Sequence, residues 1–305
     1  MAARSAGKRR GGAGRRTEPT PCRVLGDDRY CEPLNKVWLL GPATAGAGRT
    51  AKVTKRYGAC TCGQRFPPGD VPRQLPAAAA DHVAGRAATD RTTRSPCGSV
   101  GSSRSTAAVL DEVALAQVVR DLWPVDLESA WARIGVVPVG QAVLHQPTDV
   151  VDVDAASVGD LAARLLHTQA EAEGIGLAAN QVGAPVRTLA HNLPRVAPPI
   201  FVNAVLLDGW DHWDYEEGCL SLHLDGTGAE VRRPKVVVVH ADLLDGTQVV
   251  VEADELFARV LQHELDHLDG IEYVQRLTGR EATRVYALMR DAGIDTATWL
   301  PPRPY

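Results

Sequence analysis

The feature that most constrains the fold of this 305-residue chain is its division into two kinds of polypeptide. Residues 1–105 carry 19 Lys and Arg against 7 Asp and Glu, whereas the rest of the chain carries 14 against 30. The formal net charge of -4 is therefore a cancellation, and it points to no particular class of partner. Residues 1–105 are rich in Gly, Ala, Arg, Pro, Ser and Thr, and their one short apolar run is Val37-Trp38-Leu39-Leu40. A stretch of that composition buries too little apolar surface to offset the entropy of ordering it. It is expected to be a basic, low-complexity, disordered extension. Its charge would also suit an arm that contacts nucleic acid or the ribosome, although solvated basic tails are the commoner case.

Five of the six cysteines lie in this basic part, and only Cys219 lies beyond it. The Cys60-Thr61-Cys62 pair is spaced too tightly for the usual metal knuckle, which leaves two residues between its ligands. Residues 1–30 lack the apolar core of a secretory leader, and no run reaches the 18 or so apolar residues of a membrane helix. The expectation is a cytoplasmic protein with reduced thiols and no membrane partner.

Ordered structure is expected from Thr106 onward. Residues 107–120 have helical periodicity, and Pro124 ends the run. Residues 136–144 read as extended pieces broken by Pro138 and Gly140. Residues 157–173 form a helix with an apolar stripe at Leu161, Leu165 and Leu166, a cap at Ser157 and a stop at Gly174. Residues 175–252 read as strands and turns. Val236–Val239 is a buried strand, and Asp245-Gly246 turns the chain into Gln248–Val251. Helical spacing returns from Asp254 to His267 and again over Arg280–Ala292. Strands in the middle and helices at both ends predict an α+β domain over residues 106–305. In it, a mainly antiparallel sheet packs against a helix bearing paired histidines, with further helices flanking it.

The sharpest chemical signal lies on that helix, at His263-Glu264-Leu265-Asp266-His267. Residues four apart share one face of an α-helix, so both imidazoles can reach a single metal ion. Glu264 can lie beside the ion and accept a proton from water there. Asp266 faces elsewhere and can back a histidine ring. The same spacing also occurs as two surface histidines on an amphipathic helix. A catalytic site needs a third ligand; Glu272 and Glu281 are candidates, and Cys219, the one cysteine beyond residue 105, is the better one. Cys219 stands in Glu216-Glu217-Gly218-Cys219-Leu220-Ser221, and its thiolate would bind a soft or borderline ion well. Taken alone, it reads more readily as a buried inert thiol. A third segment, Gly174-Ile175-Gly176-Leu177-Ala178-Ala179-Asn180-Gln181, lets a ligand approach the main chain. It lacks the ending of a phosphate loop and follows a helix rather than a strand, so it is no nucleotide fingerprint.

Taken in order, Gly174–Gln181, Glu217–Ser221 and His263–Gly270 resemble the three signature motifs of peptide deformylases. The resemblance covers roughly Val136 to Leu277. It implies a metal held by Cys219, His263 and His267, with Glu264 as general acid and base. Gln181 and the Leu220 N–H are implied as oxyanion donors. Gly176 is implied to hold the peptide backbone, Ile175 and Val260 to line the methionine pocket, and Glu217 to pair with Arg233. The implied cofactor is one divalent ion, Fe2+ in most of the family, with Zn2+, Ni2+ and Co2+ compatible with the same ligands. The implied substrate is the N-formylmethionyl end of nascent peptides, hydrolysed by a monomer with release of formate. Three features depart from the family pattern: the short Pro-rich stretch between Leu189 and Phe201, His223–Gly226, and Arg232 where Pro is common.

Overall fold

The computed structural model describes residues 35–40, 53–59, 64–66, 72–92, 135–153, 156–193 and 196–302. The helix expected at 107–120 lies outside these residues. The described strands are β1 (Asn35–Leu40), β2 (Val53–Ala59), β3 (Arg65–Phe66), β4 (Gly176–Ala178), β5 (Thr188–His191), β6 (Ile200–Glu217), β7 (Ala229–Asp242) and β8 (Gln248–Asp254). The α-helices are α1 (Ala77–Thr92), α2 (Ala156–Glu171), α3 (Glu255–Leu268) and α4 (Gly279–Asp291). The strands form one sheet in the order β3-β2-β1-β8-β7-β6-β5-β4. Every adjacent pair is antiparallel. The expected α+β class, with helices on an antiparallel sheet, is therefore what the chain adopts.

One face of the sheet packs on α3. Val37, Phe201, Val237, Val239, Val249 and Val251 meet Phe257, Leu261 and Leu265 there, all buried. The spacing of the three helix residues puts them on one stripe, which explains why this segment is a helix lying flat on strands. A second cluster joins α2 to β4, β5 and β6 through Val158, Leu161 and Leu165 against Leu177, Ala190 and Val202. Helix α2 begins at Ala156, so Ser157 lies inside it and does not cap it. The helix ends at Glu171, and the left-handed residue that closes it is Glu173 (φ +54) rather than Gly174, whose N–H bonds to the Gln169 carbonyl at 2.9 Å. The Asp245-Gly246 turn forms as read. Gly246 takes φ +74, and Asp245 Oδ1 accepts the Thr247 N–H at 2.9 Å. The Pro-rich stretch after Leu189 shortens a connection without removing the strand pair, since Ala190 still faces Ile200.

Within residues 1–105 the described segments form β1, β2, β3 and α1. Strand β1 pairs along β8, with Val37 opposite Val251 and Trp38 opposite Val250, and so adds three strands beyond β8. Helix α1 covers the face of the sheet opposite α3. There Ala79 and Val83 join Trp38, Leu40, Val238 and Val250 in a buried cluster. The physical reason lies in β7 and β8. The unbroken valine runs 236–239 and 249–251 are apolar on both faces, and a strand of that kind needs cover on both. Trp38 is 1% exposed, and its indole N–H donates to the Pro72 carbonyl at 3.0 Å. Among the described residues no helix is long and apolar enough to cross a membrane.

Trp38→Ala is expected to destabilise the whole domain by about 3–5 kcal/mol, the usual cost of emptying an aromatic core site. Denaturant melts followed by a probe in the α3 region would detect it. An unchanged midpoint would mean that β1 is not part of the cooperative unit.

Candidate metal centre and active site

The loop that joins β6 to β7 carries Cys219. The two strands stay paired to their ends, with Glu217 opposite Ala229, so the loop starts from a fixed point. The 136–144 segment clamps it from outside. The Val137 N–H bonds to the Gln181 carbonyl and the Val139 N–H to the Ser221 carbonyl, each at 2.8 Å. His263 and His267 stand one turn apart on α3 with ring centroids 5.0 Å apart. The Cys219 Sγ lies 3.1 Å from His267 Nε2. Ligand atoms of Cys219, His263 and His267 all fall within 4.8 Å of one another. The structure thus brings these three side chains together from segments that are 44 residues or more apart in sequence. A thiolate and two imidazoles suit a borderline divalent ion, so these residues fit the metal that the motif implies.

Behind His263 stands Glu217. Its Oε2 is 2.9 Å from His263 Nδ1. Arg233 grips the same carboxylate with Nε at 2.6 Å and Nη2 at 2.9 Å, and Arg259 Nη1 donates to it at 2.7 Å. Burial opposes ionisation of Glu217, but Arg233 and His263 outweigh it and hold the carboxyl well below the ordinary range. The carboxylate fixes the ring by taking the Nδ1 hydrogen, which leaves Nε2 as the donor. Burial also works against a charged His263, yet hydrogen bonds to Cys219 and Glu217 raise its pKa well above the ordinary value. Burial likewise pushes the Cys219 thiol up, with the nearby Glu272 adding to the effect.

Asp266 engages arginines. It takes Arg233 Nη1 at 2.5 Å and Arg276 Nε at 3.0 Å. One residue before His267, it is turned about 100° from the histidine face of the helix, which is why it can meet them. Of the two acidic alternatives for a third ligand, Glu281 is exposed and paired with Arg284 at 2.6 Å. Glu272 is buried, but its Oε1 approaches the other nitrogen of His267, Nδ1, at 3.7 Å. Neither joins the converging group.

Glu264 projects beside the histidines and is buried. Its Oε2 has no hydrogen-bond partner. Burial pushes its carboxyl up to about 7, with His263 pulling the other way and Glu217 adding to the rise. Gly176 makes room for it. A Cβ there would come within 2.9 Å of the Glu264 carboxyl carbon. Gln181 sits in the short 3-10 turn Ala179–Val182. Its Oε1 accepts the Ala178 N–H at 2.8 Å, which turns Nε2 toward Ser221 Oγ at 3.3 Å and Cys219 Sγ at 3.6 Å. Asn180, beside it, ties this turn to α3 through the His267 carbonyl at 2.5 Å.

A cavity of about 470 Å³ opens onto these groups. Ile175, Leu220, Leu256 and Val260 give it an apolar side, while Tyr215 and Arg259 line it opposite Gly176. Ile175 stands at the surface, 45% exposed. Arg259 escaped the sequence reading. Its guanidinium is 5.3 Å from the Trp213 ring centroid and 5.8 Å from that of Tyr215, and it donates to Glu217. Its place four residues before His263, on the same helix face, was the available signal.

An α+β domain that gathers a thiol, two imidazoles and a buried carboxyl at the mouth of an apolar cavity is of the single-metal hydrolase class. A family model described as polypeptide deformylase matches residues 134–283. A peptide deformylase of Rhodococcus opacus (strain B4) is 37% identical over 179 residues, covering 53% of this chain and 90% of the relative. One from Agrobacterium fabrum is 40% identical over 141 residues, 45% of this chain and 82% of the relative. A crystal structure of a Synechococcus elongatus peptide deformylase in complex with actinonin aligns at 31% identity and a TM-score of 0.49, over 55% of this chain and 91% of that one. The chain belongs to the polypeptide deformylase family.

Gly176→Ala is expected to displace the Glu264 carboxyl and cut turnover about 100-fold, the scale of loss for a 1 Å misplacement of a catalytic group. Metal content should stay at the wild-type level. Turnover within threefold of wild type would show that Glu264 does not need this space.

Proposed function

We propose that this chain removes the formyl group from the N-terminal formylmethionine of nascent polypeptides and releases formate. The observation that carries the reading is the convergence of Cys219 Sγ with the His263 and His267 rings beside a buried carboxyl. Residues 106–305 are read as the catalytic domain, to which the described parts of residues 35–92 add a layer of sheet and helix. The ion assigned to the site is Fe2+, with Zn2+, Ni2+ and Co2+ able to use the same donors. A monomer is the assembly this reading adopts. The positive charge of residues 1–105 supports a further contact with ribosomal phosphates.

Cys219, His263 and His267 would hold a divalent ion, which when bound would supply a Lewis acid able to bring the pKa of water to about 7. The chain's own groups do the rest. Gly176 and its neighbours in β4 hold the peptide backbone, while Ile175, Leu220 and Val260 enclose the methionine side chain. Glu264 takes the proton of the attacking water, a role its raised pKa of about 7 suits at neutral pH. As the formyl carbon becomes tetrahedral, negative charge collects on its oxygen. The Gln181 amide and the Leu220 N–H donate to that oxygen, and losing one such donor typically costs about 2.7–4 kcal/mol. Glu264 then hands its proton to the departing amine.

The test is an anaerobic assay of the ferrous protein on formyl-Met-Ala peptides against acetylated controls. Glu264→Ala is expected to keep its metal and lose more than 99% of turnover, and Cys219→Ser to lose most of its metal. An active Glu264→Ala enzyme with full metal content would overturn the assignment of the base. Equal rates on formyl and acetyl peptides would overturn the substrate.

A further inference from the structure

Glu272 is a fully buried acid beside the site that the proposed reaction leaves without a role. It is 0% exposed, its carboxyl lies beside the Cys219 thiol, and neither oxygen makes a hydrogen bond of ordinary geometry. The Nδ1 of His267 is in the same state, buried and without a partner. These two atoms face each other at 3.7 Å, just beyond hydrogen-bond distance. Unmade hydrogen bonds on buried groups cost stability, so a chain gains by pairing two such groups that already adjoin. The turn after α3 holds Glu272 there. The Ile271 N–H bonds to the Asp266 carbonyl at 2.9 Å, and the Glu272 N–H to Gln275 Oε1 at 2.7 Å. The arrangement repeats on His267 what Glu217 does for His263, where the carboxylate oxygen stands 2.9 Å from Nδ1.

We infer that Glu272 is a positioning residue for His267: its carboxyl accepts the Nδ1–H of that ring and so leaves the Nε2 lone pair free for a metal on the Cys219 side. Each histidine then has its own acid behind it, one from the end of β6 and one from the turn after α3. Carboxylates placed behind ligating histidines in this way fix the tautomer and make the ring a stronger donor, and their loss typically weakens metal binding 10–100-fold. The inference rests on the metal-centre reading above.

The test uses Co2+ as the probe on the full chain, with wild type, Glu272→Leu and Glu272→Gln compared. Affinity is read by competition with a chelator, and fold stability by thermal melts of the metal-free proteins. Glu272→Leu is expected to bind Co2+ about 10–100-fold more weakly than wild type. Its metal-free melting temperature should equal or exceed that of wild type, because an apolar side chain replaces a buried acid. Glu272→Gln should fall between the two in affinity, since its amide oxygen still accepts from Nδ1. Affinity of the Leu variant within twofold of wild type would overturn the inference and leave the metal centre standing. A loss of affinity matched by an equal loss of metal-free stability in both variants would also overturn it, since that marks a structural role. Wild-type protein that takes up no Co2+ would overturn the metal centre and the inference together.

Discussion

The carboxylate of Glu217 is the point on which the site's geometry depends. It receives Arg233 from β7, Arg259 and His263 from α3, and it closes the end of β6. Three elements that the sequence sets far apart are thus tied to one buried acid. Taking those charges out of water is costly. Removing one partner of such a network strands a charge, at a typical penalty of 3–5 kcal/mol. The network therefore works as a fixed joint. Cys219 follows two residues after Glu217, so whatever holds the acid against α3 also holds the sulfur against the histidines.

Asp266 extends the joint by engaging Arg276 and the same Arg233 that holds Glu217. The helix is consequently pinned in rotation as well as in position. That matters because Glu264 has to project into a space cleared by Gly176, where a single added carbon would collide with its carboxyl. Rigid backing and a closely fitted carboxyl together place a proton acceptor whose pKa burial has brought near neutrality. The valine-rich strands and α3 form the floor of this arrangement, α1 covers their far side, and β1 extends the sheet beyond β8.

Periodicity made α2, α3 and α4 legible to within two residues at most ends, because each has one strong apolar stripe. The paired histidines were legible for the same reason, as a four-residue spacing on one helix. The third converging side chain was not. Spacing alone left Cys219, Glu272 and Glu281 open; its place as the one cysteine beyond residue 105, and then resemblance to a family, favoured Cys219 before the fold did. The partners of Asp266 were not legible, because Arg233 and Arg276 come from elsewhere in the chain and leave no local trace. The six residues of β1 were hidden differently. A short strand flanked by Gly, Pro and Arg has no period long enough to register, and its cause lies about 200 residues away, in the two-sided apolar character of β7 and β8. Those valine runs were visible in the sequence, but the element that would cover them was not.

The central claim is that one sulfur and two ring nitrogens form a single metal site. X-ray absorption on the zinc-loaded full chain measures this most directly. The account predicts one sulfur scatterer at about 2.3 Å and two histidine nitrogens at about 2.0–2.1 Å from the ion. A shell of nitrogen and oxygen alone, with no sulfur, would contradict it.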